Sequence, residues 1–158
     1  MSTIDNDERL ERRIEELTAS DPQFAAARPD PAIEGALEKP GLRLREVIRT
    51  ALEGYADRPA LAHRVVEYVE DPATGRTRLE LLPRYETLTY RQLGRRVEAL
   101  GRAWANDAVH IGDRVCVLGF NSVDYATIDM ALAIISAVSV PLQTSASLAS
   151  LQPIVTET

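Results

Sequence analysis

The chain has 158 residues, of which 45% are hydrophobic and 27% are charged, a composition typical of a globular domain with a core. Its net charge of −6 argues against nucleic-acid binding, and no apolar run reaches the roughly 20 residues of a membrane-spanning helix. The single cysteine, Cys116, excludes an internal disulfide and predicts a cytoplasmic protein. One cysteine and two histidines that are far apart, His63 and His110, argue against a zinc site.

Helical patterns dominate the first part of the chain. Residues 5–18 carry a narrow apolar stripe on a charged background, which predicts an amphipathic surface helix. Ser-Asp-Pro then ends this helix, a short helix is predicted over 31–38, and a more regular amphipathic one over 44–54. We interpret residues 1–58 as a helical lead-in, and its polar, acidic start does not resemble a signal peptide.

A hairpin and a capped helix come next. Strand-like runs at 60–69 and 77–82 flank an Asp-Pro pair followed by glycine, which favours a turn. Thr89 and Gln92 have the spacing of a capping box and predict a helix that runs to Ala105. The arginines of this helix are interpreted as a charged solvent face rather than a binding patch: Arg91, Arg95, Arg96 and Arg102.

The stretch 111–144 carries the clearest tertiary signal. Arg114 to Phe120 is a continuous apolar run, typical of a strand covered on both faces. Residues 123–137 are apolar nearly all round, which indicates a buried helix, and residues 138–142 supply a second strand. A strand, crossover helix and strand of this size predict a right-handed βαβ unit with parallel strands. The predicted fold class is therefore α/β.

The turn after the first of these strands offers little for nucleotide binding. It contains one glycine, Gly119, where a dinucleotide fingerprint needs three, and it lacks the lysine of a P-loop. Asn121 and Ser122 favour a helix cap instead of a ligand clamp. A phosphate-binding loop is therefore not predicted here.

The remaining reactive side chains favour structural roles as well. Cys116 lies mid-strand among valines, which favours a buried, inert thiol. Ser145 and Ser147 have no nearby histidine, so helix capping outweighs nucleophilic catalysis. Asp124 and Asp129 are five residues apart, a spacing that does not put both carboxylates on one helix face. No catalytic, cofactor-binding or metal-binding residue is therefore assigned.

Several phrases in a fixed order carry a family resemblance. They are Thr87-Leu-Thr-Tyr-Arg-Gln-Leu93, Gly112-Asp-Arg-Val-Cys-Val-Leu118, Asn121-Ser122 and Val138-Ser-Val-Pro-Leu142. In this order they resemble the opening of adenylate-forming enzymes, the superfamily of acyl-CoA synthetases, luciferases and peptide-synthetase adenylation domains. The longer phrase Val115-Cys-Val-Leu-Gly-Phe-Asn-Ser-Val-Asp-Tyr125 resembles, more narrowly, the carboxylic acid reductases of actinobacteria.

The resemblance implies that residues 59–158 form an incomplete N-terminal subdomain of an adenylation domain. The implied enzyme joins a fatty or aromatic acid to ATP with magnesium, transfers the acyl group to a phosphopantetheine thiol, and reduces the thioester to an aldehyde with NADPH. The family's phosphate loop, acidic motifs and catalytic lysine are absent from these 158 residues. No cofactor is therefore assigned to the chain, it is expected to be inactive alone, and its expected partner is the remainder of the adenylation domain.

Other interpretations stay open. The chain could be a non-catalytic domain that binds another protein through an open sheet edge, or the N-terminal part of a fatty-acid–CoA ligase. A free-standing nucleotide binder is disfavoured by the turn at Gly119. Because parallel strands normally lie in larger sheets, an unpaired sheet edge is also expected to promote self-association.

Overall fold

A computed structural model describes residues 3–106 and 108–158, with side chains from residue 6 onward. Contacts within the chain divide it into two compact units, Met1–Glu38 and Lys39–Thr158. These units are defined by contacts, whereas the boundary predicted after residue 58 separates a helical lead-in from a family domain. That boundary therefore stays a prediction. No helix in the described ranges is long and apolar enough to cross a lipid bilayer.

The described part of the first unit consists of three helices, of which the second and third begin at Asp-Pro pairs. They are α1 (Thr3–Ser20), α2 (Pro22–Ala27) and α3 (Pro31–Leu37). The Asp21 carboxylate accepts hydrogen bonds from the backbone N–H groups of Gln23 and Phe24, at 2.8 and 3.2 Å, and so caps α2. The predicted helices over 5–18 and 31–38 are confirmed, whereas α2 was not predicted because six residues are too few to show a helical period.

The second unit contains the strands. Its elements in chain order are α4 (Leu44–Gly54), β1 (Pro59–Glu70), β2 (Thr77–Thr89), α5 (Tyr90–Ala105), β3 (Arg114–Leu118), α6 (Val123–Ile134), β4 (Val138–Leu142) and α7 (Leu148–Glu157). The predicted helix over 44–54 is α4, with the same bounds. Leu52 of α4, Leu93 and Val97 of α5, and Ala131 and Ile134 of α6 form the buried core of this unit.

Strands β1 and β2 form an antiparallel hairpin, as predicted. The second strand runs on to Thr89, well past the predicted end at Leu82. The predicted end was wrong because Pro83, which cannot donate a backbone hydrogen bond, lies where the register shifts between Arg64 and Val66. The ladder tolerates the proline at this irregularity and continues beyond it.

The capping box at the start of α5 is confirmed. Thr89 Oγ1 accepts from the Gln92 backbone N–H at 3.2 Å, and Gln92 Oε1 accepts from the Thr89 backbone N–H at 2.8 Å. The helix that follows buries Leu93 and Val97 almost completely, with 1% and 0% of their surfaces exposed. Trp104, farther along the same face, is half-buried and packs against the core.

The predicted βαβ unit is present, because β3 and β4 pair in parallel with α6 between them in the chain. Helix α6 ends at Ile134, before the predicted Ala137. Ser136 adopts the left-handed conformation, with φ 63°, and the Ala137 N–H donates to the Leu132 carbonyl at 2.9 Å. This is a Schellman closure of the helix, a role that glycine usually fills.

Coverage of the parallel sheet differs from the prediction. The sheet holds β3 and β4 within the described residues. Strand β3 stops at Leu118, and the side chains of Leu118 and Phe120 are 58% and 79% exposed. The prediction of a strand covered on both faces is therefore wrong for this chain, since its described elements leave part of the strand uncovered.

Candidate functional site

The carboxyl ends of β3 and β4 are the natural place to look for a site, because α/β proteins bind ligands where the parallel strands end. Residues 119–122 join β3 to α6, and residues 143–147 join β4 to α7. We call these two segments the strand-end loops. Both helices begin at this edge of the sheet, so their first backbone N–H groups lie there as well.

Side chains of the strand-end loops are used in local structure. Ser122 Oγ accepts from the Tyr125 backbone N–H at 3.1 Å, and Ser147 Oγ accepts from that of Ser150 at 3.2 Å. The predicted caps at Ser122 and Ser147 are therefore confirmed. Ser145 does not cap a helix, because its hydroxyl accepts instead from Gln143 Nε2 at 2.9 Å.

The chemistry available in the strand-end loops is limited. Neither segment contains histidine, cysteine, lysine, arginine, aspartate or glutamate. A nucleophile there would have no adjacent base, and a phosphate would have no cationic side chain. Among the described residues, no group of three or more metal-binding side chains comes together. The strand-end loops therefore have the position of an α/β ligand site, at the start of two helices, but they lack charged and nucleophilic side chains paired with a base.

Cys116 and the two aspartates lie outside the strand-end loops, although Asp124 follows the first of them closely. Cys116 is half-buried in the middle of β3, opposite Val140, and so is less buried than predicted. The difference follows from the incomplete coverage of the sheet. Asp124 and Asp129 are both exposed on α6, one in its first turn and one in its middle.

The arginines of α5 form the charged solvent face that was predicted. Arg91 Nη2 lies 2.8 Å from Asp57 Oδ1, and Arg102 Nη1 lies 3.5 Å from Glu98 Oε2. The side chains of all four arginines are exposed, including Arg95 and Arg96. Glu98 and Arg102 are four residues apart on one helix, whereas Asp57 precedes the helix, so its contact with Arg91 becomes visible only in the fold.

The two histidines contact separate carboxylates. His63 Nε2 lies 3.3 Å from Glu86 Oε2 across the hairpin, and His110 Nδ1 lies 3.4 Å from Asp113 Oδ2. The His63 partner was missed because cross-strand register cannot be read from spacing alone. Neither pair includes a nucleophile within its described contacts, so neither forms a catalytic arrangement.

A cavity of about 400 Å³ lies at the other end of the sheet. It is lined by the start of α4, the end of α6 and the start of β4, with Leu44, Asp129 and Ala133 among the lining residues. Ser139 Oγ, also in its lining, is buried without a hydrogen-bond partner among the described residues. Because it lies at the amino end of β4, this cavity is not in the position of an α/β ligand site.

Comparison with known proteins gives a consistent result. Residues 49–158 match a family described as AMP-binding enzyme. The chain is 60% identical, over 159 aligned positions, to a carboxylic acid reductase of Mycobacterium marinum, and 60% identical over 154 positions to one of Mycobacterium tuberculosis. These alignments cover 100% and 97% of this chain but 14% and 13% of the two relatives.

Solved structures give the same picture. The A domain of the carboxylic acid reductase of Segniliparus rugosus, solved with AMP and a co-purified carboxylic acid, superposes with a TM-score of 0.84 and 44% identity. The A domain of a carboxylate reductase of Mycobacterium chelonae superposes with a TM-score of 0.82 and 45% identity. The superpositions cover 94% and 97% of this chain and 24% of each solved chain.

Proposed function

This chain belongs to the AMP-binding enzyme family, and on that premise we propose that it forms part of an enzyme that activates a carboxylic acid with ATP. Its structure matches the N-terminal part of the adenylation domain of carboxylic acid reductases. The observation that carries the proposal is the sequence identity to such reductases along essentially the whole chain, including the helices that precede the family match.

The proposed reaction begins at the acid. A carboxylate oxygen attacks the α-phosphorus of ATP and forms the acyl-adenylate. The bond from the α-phosphorus to the oxygen that bridges to the β-phosphorus breaks, and pyrophosphate leaves with that oxygen and the electron pair. In the proposed whole enzyme, a phosphopantetheine thiol then displaces AMP to give a thioester, which NADPH reduces to an aldehyde. Magnesium would neutralise the phosphate charges. Fatty and aromatic acids are the substrate classes that we expect.

The contribution of this chain is structural in our proposal. Stabilising a transition state at phosphorus requires fixed donors, cations or metal ligands, and the strand-end loops contain none of the charged side chains that would supply them. The phosphate loop and the lysine of the family are not among these residues. No catalytic step is therefore assigned to a residue of this chain, and its βαβ unit acts as a scaffold.

The partner in this proposal is the remainder of the adenylation domain. Leu118, Phe120 and Val138 expose 58%, 79% and 47% of their surfaces around the two-stranded sheet. Burying such side chains against further sheet would be favourable, since each large apolar side chain contributes about 1.5–3 kcal/mol when fully buried. A cytoplasmic location, predicted from the single cysteine, stays a prediction.

A segment exchange tests the proposed function. The matching segment of the Mycobacterium marinum reductase is replaced by this chain, and acid-dependent exchange of labelled pyrophosphate into ATP is measured. We expect exchange within roughly tenfold of the parent, a loss of about 1.4 kcal/mol in transition-state stabilisation at most. A matched chimera with the Segniliparus rugosus segment controls for the exchange itself. If that control is active while a folded chimera with this chain is not, the proposal is wrong.

A further inference from the structure

The outer half of the β1–β2 hairpin carries an apolar face that the described residues of this chain leave exposed. Val66 is opposite Leu81, and Tyr68 is opposite Leu79, in the register of the two strands. Residues opposite one another, and residues two apart along a strand, share a face, so these four side chains lie together. Tyr85, opposite Arg64, extends the same face toward the base of the hairpin. We call these five residues the outer hairpin face.

The outer hairpin face is exposed to solvent. The exposed fractions are 72% for Tyr68, 64% for Tyr85, 54% for Leu81, 53% for Leu79 and 38% for Val66. The base of the hairpin differs, because Ala60 and Leu61 pack against the core of the second unit and Leu88 is buried. A two-stranded hairpin is marginally stable alone, and a contiguous exposed apolar patch marks an interaction site.

Charges at the two ends of this face are arranged symmetrically. Along β1, Arg64 lies three residues before Glu67, and Glu70 lies three residues after Glu67. By strand alternation, the side chains of Arg64 and Glu70 lie on the same side of the hairpin as the outer hairpin face and flank it. Arg64 donates from Nε to the Leu82 carbonyl at 2.8 Å, which leaves the N–H groups of its two terminal nitrogens to bind a carboxylate.

This arrangement is complementary to itself. A two-fold axis that crosses the strands at the level of Glu67 places Arg64 of one copy against Glu70 of the second. Because both copies use the same surface, the same pair forms at each end of the interface. Five side chains that each lose about 100 Å² of surface would bury about 500 Å² per copy. The total of about 1,000 Å² is in the range of weak, reversible complexes.

We propose that the outer hairpin face binds a second copy of this chain, with the two hairpins antiparallel and Arg64 paired with Glu70 of the other copy. The tyrosines and leucines supply the buried apolar contact, and the two ion pairs at the ends fix the direction. This surface is separate from the edge of the β3–β4 sheet, where the sequence predicted self-association.

Sedimentation equilibrium of this chain over a wide concentration range tests the proposal. We expect a reversible monomer–dimer equilibrium, and Tyr68→Ala should raise the dimer dissociation constant at least tenfold, as expected for an aromatic anchor present twice. Leu79→Ser, on the facing strand, should act in the same direction. Phe120→Ala is the matched control, since Phe120 is similarly exposed, at 79% against 72% for Tyr68, but lies beside the β3–β4 sheet. Thermal unfolding at low concentration verifies that each variant folds.

A charge exchange tests the antiparallel arrangement. Glu70→Arg places two arginines together at each end and should raise the dissociation constant by about fivefold or more. The double variant Arg64→Glu/Glu70→Arg should restore the parent value. A chain that stays monomeric would overturn the proposal and leave this face to another partner. A dimer that Phe120→Ala dissociates and Tyr68→Ala does not would move the interface to the β3–β4 edge, and a double variant that stays weak would refute the antiparallel pairing.

Discussion

Thr89 determines where α5 begins, because its hydroxyl satisfies a backbone N–H that has no partner inside the helix. Thr89→Ala should lower the free energy of unfolding by about 1 kcal/mol. Thr89→Ser keeps the acceptor and serves as the control. Urea unfolding of the three chains measures the difference. If Thr89→Ala is as stable as the parent, the hydrogen bond from the residue 89 backbone N–H to the Gln92 side chain is enough to cap the helix.

Asp71 organises the hairpin turn in a way that depends on its charge. Its carboxylate accepts from the Ala73 backbone N–H at 2.9 Å and from the Thr74 hydroxyl at 2.8 Å. The Ala73 bond, followed by the Thr74 bond, lowers the pKa of Asp71 below the ordinary value of an aspartate. A lowered folded pKa means that the contribution to stability is complete above the unfolded pKa and is lost as the pH falls through the folded one.

The carboxyl carbon of Asp71 should titrate at a lower pH in the folded chain than in urea, as measured by NMR. Amide exchange in the hairpin turn should increase as the pH falls through the folded value, after correction for intrinsic rates. Asp71→Asn should remove this dependence. An identical midpoint in the folded and unfolded chains would contradict the role of the turn bonds.

Single residues also show what the sequence could and could not predict. The capping pair at Thr89 and Gln92 was readable because its chemistry is local. The end of α6 could not be predicted, because Ser136 adopts a left-handed conformation that serine rarely adopts. The half-burial of Cys116 depends on what covers the sheet, a property of distant elements rather than of the residue.

At the scale of elements, two glycines of α5 have opposite roles. A methyl group at Gly94 would lie 3.6 Å from Leu52 Cβ, an ordinary contact, whereas one at Gly101 would lie 3.3 Å from Ile135 Cγ2. Gly94→Ala should therefore stabilise the chain by about 0.5–1 kcal/mol through helix propensity. Gly101→Val should destabilise it by about 1–3 kcal/mol, because the larger side chain separates α5 from α6.

Thermal and urea unfolding of both glycine variants measures these effects. Gly35→Ala, in α3 of the first unit, is a control for propensity without packing, since nothing lies within 4 Å of the position of its Cβ. A stabilising Gly101→Val would show that α5 and α6 do not approach as closely as the structure indicates.

Elements long enough to show a clear hydrophobic pattern were predictable from the sequence, and short or irregular elements were not. The βαβ unit followed from an apolar run, an all-apolar helix and a second run, since these patterns leave few alternatives. The six residues of α2 lack a measurable period, and β2 continues past a proline that would ordinarily end a strand. In both cases, the deciding interaction is a side-chain cap or a cross-strand register.

For the whole molecule, residues and family likeness contributed different information. The residues alone predicted an α/β domain and led to no assigned catalytic or binding residue. The strand-end loops contain no charged side chain. The function came from the order of several short phrases, which is a property of a family and not of local physics. The hairpin contacts of His63 and the exposed outer hairpin face required the register of two strands and could not be predicted from spacing.

The central claim is that these residues form a scaffold for acid activation and do not perform it. The direct test is acid-dependent release of pyrophosphate from ATP and magnesium by the purified 158-residue chain. We predict no release above a control without protein, because fixed donors and cations for the transferring phosphorus are not encoded. Turnover that survives repurification and depends on the added acid would contradict the account.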